Sequence, residues 1–412
     1  MTSIPPAEQP PPLNRRHFIT GTLATAAAFS IIKPALVRGA ETNAKVRLGL
    51  IGCGGRGTWI ADLFAEHGGY QIVGAADYFA DRAGEVAAKH QLAPAQVFTG
   101  LKCHERMIER GGLDAVAIIS PPYFHPEQVQ AAVRAGLHVY LAKPAAVDVP
   151  GCQSIKESGL AAGRKGRVFL VDFQTRANEF FIEAMKRVHA GALGELAFGE
   201  SIYQAGRLKV KAEPGTPEAR LRNWVFDQML SGDIIVEQNI HTLDVMSWTM
   251  KDTPPLRCSG TGGRKVRVDV GDCWDNFALT YEYPNNVGVA FSSRQFDAHG
   301  EPGGIINKLF GSKGVLLTKY GGDVLIRGGK ETFYRGGNTG QIYKEGAMAN
   351  IRSFHDSVTR GDVTNPTVEP AVLSTLVAIM GRTAAWTHRP VTWEEITRST
   401  QRLEADLKGL SA

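Results

Sequence analysis

The sequence predicts an α/β protein with two domains: a doubly wound parallel sheet first, then an α+β domain with an open, mostly antiparallel sheet. Two observations predict this order. As far as residue 143, short apolar runs alternate with helical stretches, which is typical of a parallel sheet covered by helices on both faces. After residue 165, apolar and polar residues alternate between turn signals, which favours antiparallel strands with one solvated face.

The first domain is predicted over residues 42–164. Its strands end where glycine, aspartate or proline interrupts the apolar run, and each is followed by a stretch with helical spacing. The expected strands are residues 45–51, 70–76, 113–119 and 138–141. The expected helices are residues 58–66, 82–90, 126–135 and a connecting helix at 150–165.

The second domain is predicted over residues 165–412, and it ends in a pair of helices. Its expected strands are residues 168–174, 195–204, 265–269, 276–283, 288–294, 305–311 and 314–318. Its expected helices are residues 180–190, 233–249, 347–359 and 370–386. Residues 328–340 are expected to form a glycine-rich loop.

Composition narrows the possible partners. At 412 residues the chain is long enough for two domains with a core each. Without residues 1–40, 42 basic and 40 acidic residues remain, so no basic field of the kind that nucleic-acid binding needs is present. The five cysteines form no CxxC or Cys/His set with metal-ligand spacing. The sequence therefore predicts no nucleic-acid partner and no metal site.

Residues 1–40 have the pattern of a twin-arginine signal. Arg15 and Arg16 precede Phe18 and a weakly apolar stretch at residues 21–32, which is too short to span a membrane as a helix. The twin-arginine machinery exports folded proteins, which suits a periplasmic protein with reduced cysteines and a cofactor loaded in the cytoplasm. An amphipathic or anchoring N-terminal helix is the alternative, and an uncleaved signal would leave the protein attached to the membrane.

A glycine turn follows the first predicted strand and opens the first helix. In the sequence Gly-Cys-Gly-Gly-Arg-Gly of residues 52–57, one glycine makes the sharp turn, one allows the backbone to approach a pyrophosphate, and one lets helix and strand pack closely. The pattern therefore predicts a dinucleotide, NAD or NADP. The expected cofactor contacts in this turn are Gly52, Gly54, Gly55, Arg56 and Gly57.

The acid at the end of the second strand favours NAD. Asp77 stands 20 positions after Gly57, where a carboxylate accepts hydrogen bonds from the ribose 2'-hydroxyl and repels a 2'-phosphate. Arg82 keeps NADP as an alternative. The loop after the third predicted strand lies at the same edge of the sheet, so Ser120, Pro121 and His125 are expected to contact the cofactor.

One predicted helix carries candidate catalytic groups. If residues 233–249 form a single helix with Asp233 as its N-cap, Glu237, His241 and Asp244 lie on one face. A carboxylate one turn from an imidazole fixes its tautomer and raises its basicity, so His241 is a candidate base for the proton of an alcohol. A histidine satisfied within the core is an equally good interpretation of these residues alone.

In several motifs the chain resembles the family named after glucose-fructose oxidoreductase, inositol dehydrogenase and the MocA protein (Gfo/Idh/MocA). The matching features are the glycine turn, the loop at residues 120–125, Ala142-Lys143-Pro144, the turn at residues 191–194, and Glu237-x-x-x-His241-x-x-Asp244. Together they extend over nearly the whole chain after residue 40.

The resemblance implies roles for two residues. The strand-end motif of the family is usually Glu-Lys-Pro, whose lysine contacts the reacting hydroxyl and the nicotinamide ribose, so Lys143 is expected to be catalytic and to touch the cofactor. Ala142 replaces the usual glutamate; either another acid orients the lysine, or the lysine holds its proton differently. His241 matches the family's histidine, but Glu237 and Asn239 depart from its usual Asp-x-Gly-x-His.

The expected function is hydride transfer between NAD(P) and a pyranose, inositol or related polyol. Arg176, Glu237 and Asp244 are candidate substrate contacts, although Arg176 is equally compatible with a structural role. Two other interpretations stay open: a glycosidase that oxidises its substrate transiently with bound NAD, and a binding protein that holds NAD without catalysis. The family's open sheet often forms subunit interfaces, so a homo-oligomer is expected.

Overall fold

The computed structural model describes residues 45–412, and the twin-arginine pattern lies outside them. The first sheet has six parallel strands in the order β3-β2-β1-β4-β5-β6. This confirms the predicted doubly wound sheet. The strands are β1 (Val46–Ile51), β2 (Tyr70–Asp77), β3 (Val97–Thr99), β4 (Ala115–Ile118), β5 (His138–Ala142) and β6 (Phe169–Asp172).

Helices connect these strands, and their ends follow local sequence rules. The first begins at the glycine turn and ends at Gly68, whose φ of +81° a residue with a side chain rarely adopts. The last begins after Asp148, whose carboxylate accepts a hydrogen bond from the backbone amide of Gly151 at 2.7 Å. The helices are α1 (Gly55–His67), α2 (Ala80–His90), α3 (Cys103–Arg110), α4 (His125–Arg134) and α5 (Val149–Arg164).

The expected domain boundary after residue 164 is wrong. Residues 168–174 were predicted to begin the antiparallel sheet, but β6 pairs in parallel with β5, with Ala142 opposite Asp172. The strand is buried along its whole length, so it lacks the polar face that an open sheet would leave in water. The first domain therefore continues to about residue 172.

The second sheet has nine strands in the order β14-β13-β12-β11-β7-β10-β9-β8-β15. Only β7 and β10 pair in parallel, so the predicted mostly antiparallel sheet is confirmed. The strands are β7 (Leu196–Ala205), β8 (Arg257–Gly263), β9 (Asn276–Tyr283), β10 (Val287–Gln295), β11 (Gly304–Gly311), β12 (Gly314–Lys319), β13 (Asp323–Gly328), β14 (Tyr334–Asn338) and β15 (Val391–Thr392).

Two details of this sheet correct the prediction. Residues 265–269 form no strand, because the Asp275 carboxylate accepts hydrogen bonds from three successive backbone amides, those of Lys265, Val266 and Arg267, and folds them into a turn. The glycine-rich residues 328–340 contain β14 rather than a loop alone.

Among the helices of the second half, α12 packs on the first sheet, α7 on the second, and α13 on both. They are α6 (Gln174–Ala177), α7 (Glu179–His189), α8 (Pro217–Arg222), α9 (Gln228–Ser231), α10 (Ile234–Glu237), α11 (Ile240–Thr249), α12 (Ile342–Arg360), α13 (Val368–Thr387) and α14 (Trp393–Thr397). In the described part of the chain, α13 alone is long and apolar enough to cross a membrane by composition. Protein buries 72% of that apolar stretch, as in a core helix.

The predicted helix over residues 233–249 is interrupted. Asp233 is the N-cap of α10, as expected, but its carboxylate also accepts hydrogen bonds from Trp274 and Trp386. The segment ends at Glu237, and α11 begins at Ile240. The spacing argument that placed three polar side chains on one continuous face therefore does not hold.

One helix from the C-terminal region completes the first domain. Ala347, Ile351 and Phe354 of α12 are fully buried in the same apolar core as Leu48 and Leu50 of β1. The Tyr70 hydroxyl of β2 donates a hydrogen bond to the backbone oxygen of Ile351 at 3.0 Å. The first sheet is thus covered on one side by residues far apart in sequence.

Candidate active site

The glycine turn is built as a cradle for phosphate. Gly52 has a φ of +90°, and a Cβ there would lie 2.6 Å from the backbone nitrogen of Ser120. A Cβ on Gly57 would lie 1.8 Å from the backbone oxygen of Gly52, so only glycine lets α1 pack this closely. Space is open beside Gly55, and no acidic side chain occupies the first turn of α1. The free amides and the helix dipole there fit a pyrophosphate.

Asp77 lies where the sequence predicts, at the end of β2. Its carboxylate accepts hydrogen bonds from the backbone amides of Cys53 at 2.7 Å and Phe79 at 2.9 Å. Burial raises the pKa of this carboxyl, against the effect of the two amides. The residue lines a cleft together with Gly52, Arg82, Ser120 and Pro121. This cleft lies beside the glycine turn, and its polar wall fits the ribose next to the pyrophosphate.

His125 does not face that cleft. Its ring is fully buried, and its two nitrogens lie 2.9 Å from the backbone oxygen of Pro144 and 3.0 Å from that of Ser120. Burial lowers the pKa of His125 to about 4, so the ring is neutral. The predicted cofactor contact through the His125 ring is therefore corrected: the buried ring lies between the loop after β4 and the loop after β5, and its one N–H can donate to only one of the two backbone oxygens.

Lys143 follows β5 at the carboxyl edge of the sheet, and Glu237 is its partner. Its Nζ donates hydrogen bonds to the backbone oxygen of Glu237 and to Glu237 Oε1, the latter at 3.2 Å. Ala142 supplies no carboxylate, so the acid at the end of α10 holds the lysine instead. Of the two explanations left open by the sequence, the structure supports the first: another acid orients Lys143.

His241 is the second residue of α11 and lies near enough to Lys143 to be affected by its charge. Its ring centroid lies 5.2 Å from that of Tyr320, and its Nδ1 is buried without a hydrogen-bond partner among residues 45–412. Desolvation lowers the pKa of His241 well below its usual value, and the charges of Lys143 and Arg56 lower it further. The expectation that neighbouring carboxylates raise the basicity of this histidine is wrong, since Glu237 binds Lys143 instead.

Arg176 and Asp244 form a closed ion pair. Arg176 Nε lies 2.9 and 3.0 Å from the two carboxylate oxygens of Asp244, and its Nη2 lies 2.8 Å from Asp252 Oδ1. Ser374 donates to Asp244 Oδ1 at 2.7 Å, and Asp244 has no exposed surface. The prediction that these two residues contact the substrate is corrected, because their polar groups form hydrogen bonds with each other, with Asp252 and with Ser374.

Comparison with known families settles the assignment of the two domains. Residues 46–173 match the Gfo/Idh/MocA model described as an oxidoreductase family with an NAD-binding Rossmann fold, and residues 181–317 match the C-terminal domain of the same family. The chain belongs to the Gfo/Idh/MocA family. Its first domain is therefore an NAD-binding Rossmann domain.

The relatives carry names of two kinds. A glycosyl hydrolase family 109 protein of Streptomyces niveus is 28% identical over 198 residues, 47% of this chain and 39% of the relative. Inositol 2-dehydrogenase 4 of Saccharopolyspora erythraea is 27% identical over 210 residues, 51% of this chain and 55% of the relative. The chain thus spans between 39% and 55% of the length of these curated relatives.

A solved structure shares the fold over most of both chains. Levoglucosan dehydrogenase, in complex with NADH and levoglucosan, has a TM-score of 0.67 at 17% identity, over 84% of this chain and 99% of that chain. At this identity the likeness shows the fold alone. It agrees with the order of a parallel sheet followed by a mostly antiparallel one.

Sequence reasoning missed how Arg56 of the Gfo/Idh/MocA glycine turn is used. Its guanidinium pairs with the buried carboxylate of Asp172 at the end of β6, and Asn350 of α12 holds the other oxygen of that carboxylate at 2.7 Å. Its Cζ also lies 5.2 Å from the ring centroid of Tyr343. The backbone of Arg56 stays in the turn, but its side chain is directed toward the end of β6. The partners come from α12 and β6, so no local sequence signal could have found them.

Tyrosines line the same region. Tyr320, which follows β12, lies against His241, and Tyr203 of β7 is close enough for the charge of Glu237 to act on it. Tyr320 was not predicted as a site residue, because an isolated tyrosine after a strand gives no signal for a site. Aromatic faces beside a polar pair are the kind of wall that suits the C–H faces of a sugar ring.

Proposed function

We propose that this protein is an NAD-dependent oxidoreductase that transfers a hydride between NAD and a hydroxyl or carbonyl carbon of a sugar or polyol. The observation that supports this best is the arrangement around Lys143. The lysine stands at the carboxyl edge of the NAD-binding sheet, Glu237 holds it, and a neutral His241 lies near enough for the lysine charge to depress its pKa.

Each residue has a distinct task in this reaction. NAD held by the glycine turn and Asp77 would supply the hydride acceptor for the carbon that carries the hydroxyl. A ring nitrogen of His241 takes the hydroxyl proton, since the imidazole is neutral and therefore able to accept one. The Lys143 ammonium donates a hydrogen bond to the substrate oxygen and stabilises the negative charge that develops there. Glu237 keeps the ammonium in place.

The substrate class rests on the names of the relatives, which include inositol 2-dehydrogenase and levoglucosan dehydrogenase. The test is mass spectrometry of the nucleotide bound to the purified protein, followed by a panel of pyranoses, inositols and anhydrosugars monitored at the absorbance of reduced nicotinamide. Reduction by at least one of them supports the proposal. Bound NAD that no member of the panel reduces would favour the binding-protein interpretation.

A redox-assisted glycosidase is the second candidate. The glycosyl hydrolase family 109 relatives favour it, since the same Lys143 and His241 would serve a transient oxidation followed by elimination of the aglycone. Incubation with a nitrophenyl glycoside and catalytic NAD distinguishes the two. Steady release of the phenol without accumulation of NADH would establish the hydrolase, whereas a net dehydrogenase accumulates NADH and releases no phenol catalytically.

We further propose that the protein is exported in its folded state to the periplasm by the twin-arginine machinery. The support is the paired arginines of residues 15 and 16, together with five cysteines that are all buried and unpaired. Such thiols suit a chain that folds before it meets an oxidising compartment. If Arg15→Lys with Arg16→Lys leaves the periplasmic yield unchanged, this proposal fails.

A homo-oligomer is proposed through the open face of the second sheet. Phe198 of β7 and Phe310 of β11 stack with ring centroids 4.5 Å apart, and 47% of Phe198 is exposed. Light scattering of wild type and of Phe198→Glu tests the proposal. A dimer or tetramer that the substitution dissociates supports it, whereas a monomeric wild type contradicts it.

A further inference from the structure

The ribose end of the cofactor cleft is closed by residues from both halves of the chain. On one side lie Tyr78, Phe79 and Arg82, which follow β2 or belong to α2. On the other lie Leu221 of α8 and Trp224, more than a hundred residues later in the sequence. This end of an NAD site takes adenosine, whose flat apolar base suits a wall of leucine and tryptophan.

Contacts beside the cleft hold that wall in place. Arg222 Nη2 lies 2.8 Å from Asp81 Oδ1, and its Cζ lies 3.9 Å from the ring centroid of Phe79. Phe79 and Leu221 are buried in one small apolar cluster. The wall is therefore packed on the NAD-binding domain and not merely near it.

A third element, residues 403–412, crosses over this junction. Here it is called the strap. The backbone amide of Leu403 donates to Asp148 Oδ2 at 2.9 Å, and Arg220 of α8 donates to the backbone oxygen of Asp406 at 2.7 Å. Farther along, the backbone oxygen of Ser411 accepts from the amide of Leu101, which itself lines the cleft, at 3.0 Å. The strap is thus bonded to both sides of the cleft.

One hydroxyl connects all three elements. Tyr78 Oη accepts a hydrogen bond from the backbone amide of Ser411 at 3.2 Å and donates one to Glu218 Oε1 of α8 at 3.5 Å. Because Tyr78 follows Asp77 directly, this connection lies next to the predicted ribose position.

We propose that Leu221 and Trp224 form the outer wall of the adenosine site and that the strap keeps this wall closed, so that NAD stays bound from one turnover to the next. Release of NAD requires the wall to separate from Phe79, which breaks the Arg222, Tyr78 and strap contacts together. The inference rests on NAD binding by the first domain and not on the reaction proposed above. A protein that retains NAD without oxidising any sugar would uphold this inference and remove that function.

The experiment measures NAD retention without substrate. Full-length protein is loaded with NAD and passed through gel filtration, and the NAD per chain is followed over time by mass spectrometry. Wild type is expected to hold NAD through the column. Trp224→Ala and a variant lacking residues 407–412 are expected to release it at least about tenfold faster, since each removes contacts that close the wall.

Two further variants keep the test decisive. Tyr78→Phe keeps the ring and removes only the shared hydroxyl, so release should accelerate about two- to tenfold, the effect of one or two hydrogen bonds. Phe333→Ala is the matched control, because it removes an exposed aromatic outside the cleft and should change nothing. Melting temperatures in excess NAD verify that each variant is folded. Wild-type release rates in folded Trp224→Ala and Tyr78→Phe, or rapid release from wild type, would overturn the proposal.

Discussion

The ion pairs Lys143–Glu237 and Arg176–Asp244 have their acids in the same short region of the chain. They differ in the hydrogen-bonding capacity that each pair leaves unused. Glu237 and Lys143 keep 15% and 11% of their side chains exposed. Asp244 has no exposed surface, and both of its oxygens are taken by Arg176 and Ser374. Lys143 has three donors, and among the described residues it uses two of them, both on Glu237, so one donor remains for a substrate oxygen. The difference teaches that unused hydrogen-bonding capacity distinguishes the candidate functional pair from a pair that only holds the fold together.

The largest effect on catalysis is expected at Lys143 and at the neighbouring His241. Lys143→Met and His241→Ala should each lower single-turnover hydride transfer by about 10²- to 10⁴-fold, or roughly 3 to 5 kcal/mol of barrier, because each removes a group acting on the hydroxyl. NAD affinity should change little. Melting temperature and hydride transfer are measured on the same samples. A lower melting temperature with unchanged transfer per folded molecule would make His241 structural.

Disruption of the Arg176–Asp244 pair should lower the stability of the protein rather than the rate of hydride transfer. Arg176→Met leaves the Asp244 carboxylate buried without its partner, so we expect a loss of about 3 to 5 kcal/mol in the free energy of unfolding. Denaturant titration measures it. Adding Asp244→Asn should recover part of the loss, and Arg398→Met, at an exposed pair with Glu394, is the control with an effect below about 1 kcal/mol. Normal stability with impaired substrate binding would return Arg176 to the site.

The partner of the lysine provides a finer test. Glu237→Gln keeps the backbone oxygen that holds Lys143 and the size of the side chain, but it removes the charge. We expect kcat to fall about tenfold, which is roughly 1.4 kcal/mol, with KM for NAD unchanged. Glu282→Gln, at an exposed pair with Arg257, is a matched control. An unchanged kcat would mean that the backbone oxygen alone positions the lysine.

Asp77 shares a feature with each of the two pairs. Its carboxylate accepts hydrogen bonds from two backbone amides, and it still lines the cleft. Asp77→Asn keeps an acceptor for an amide and removes the negative charge. The ratio of NADP to NAD affinity should rise about three- to tenfold, since the repulsion of a 2'-phosphate is lost. Titration calorimetry with both nucleotides measures the ratio. A wild type that already prefers NADP contradicts the assignment of Asp77.

The fold was predictable where the signal is local. The glycine turn, the apolar runs of β1, β2, β4 and β5, and Asp77 at a strand end are all contained in short stretches of sequence, whereas the three-residue β3 was not predicted. The predictions were wrong where the structure depends on contacts between residues that are distant in sequence. The strand at Phe169–Asp172 joins the first sheet through its pairing with β5, which a period-two pattern cannot reveal.

The same physical reason explains the outcome at the candidate site. Lys143 was found through the resemblance of Ala142-Lys143-Pro144 to the strand-end motif of the family, but its acid lies 94 residues away and could not be identified by spacing. The helix that was expected to align Glu237 with His241 stops at Glu237, so the periodicity argument failed at its first turn. Tyr320 and the Arg56–Asp172 pair have partners on other elements and left no pattern to recognise.

The packing of α12 on the first sheet sets the order in which this protein matures. Ala347, Ile351 and Phe354 close a core whose earliest members are Leu48 and Leu50, so that core stays open until more than 300 further residues have been synthesised. A ribosome-bound chain that ends at residue 173 would expose this surface to chaperones and proteases. The NAD-binding domain therefore matures only after translation is nearly complete. An export route that accepts only finished proteins would meet this chain with both domains closed.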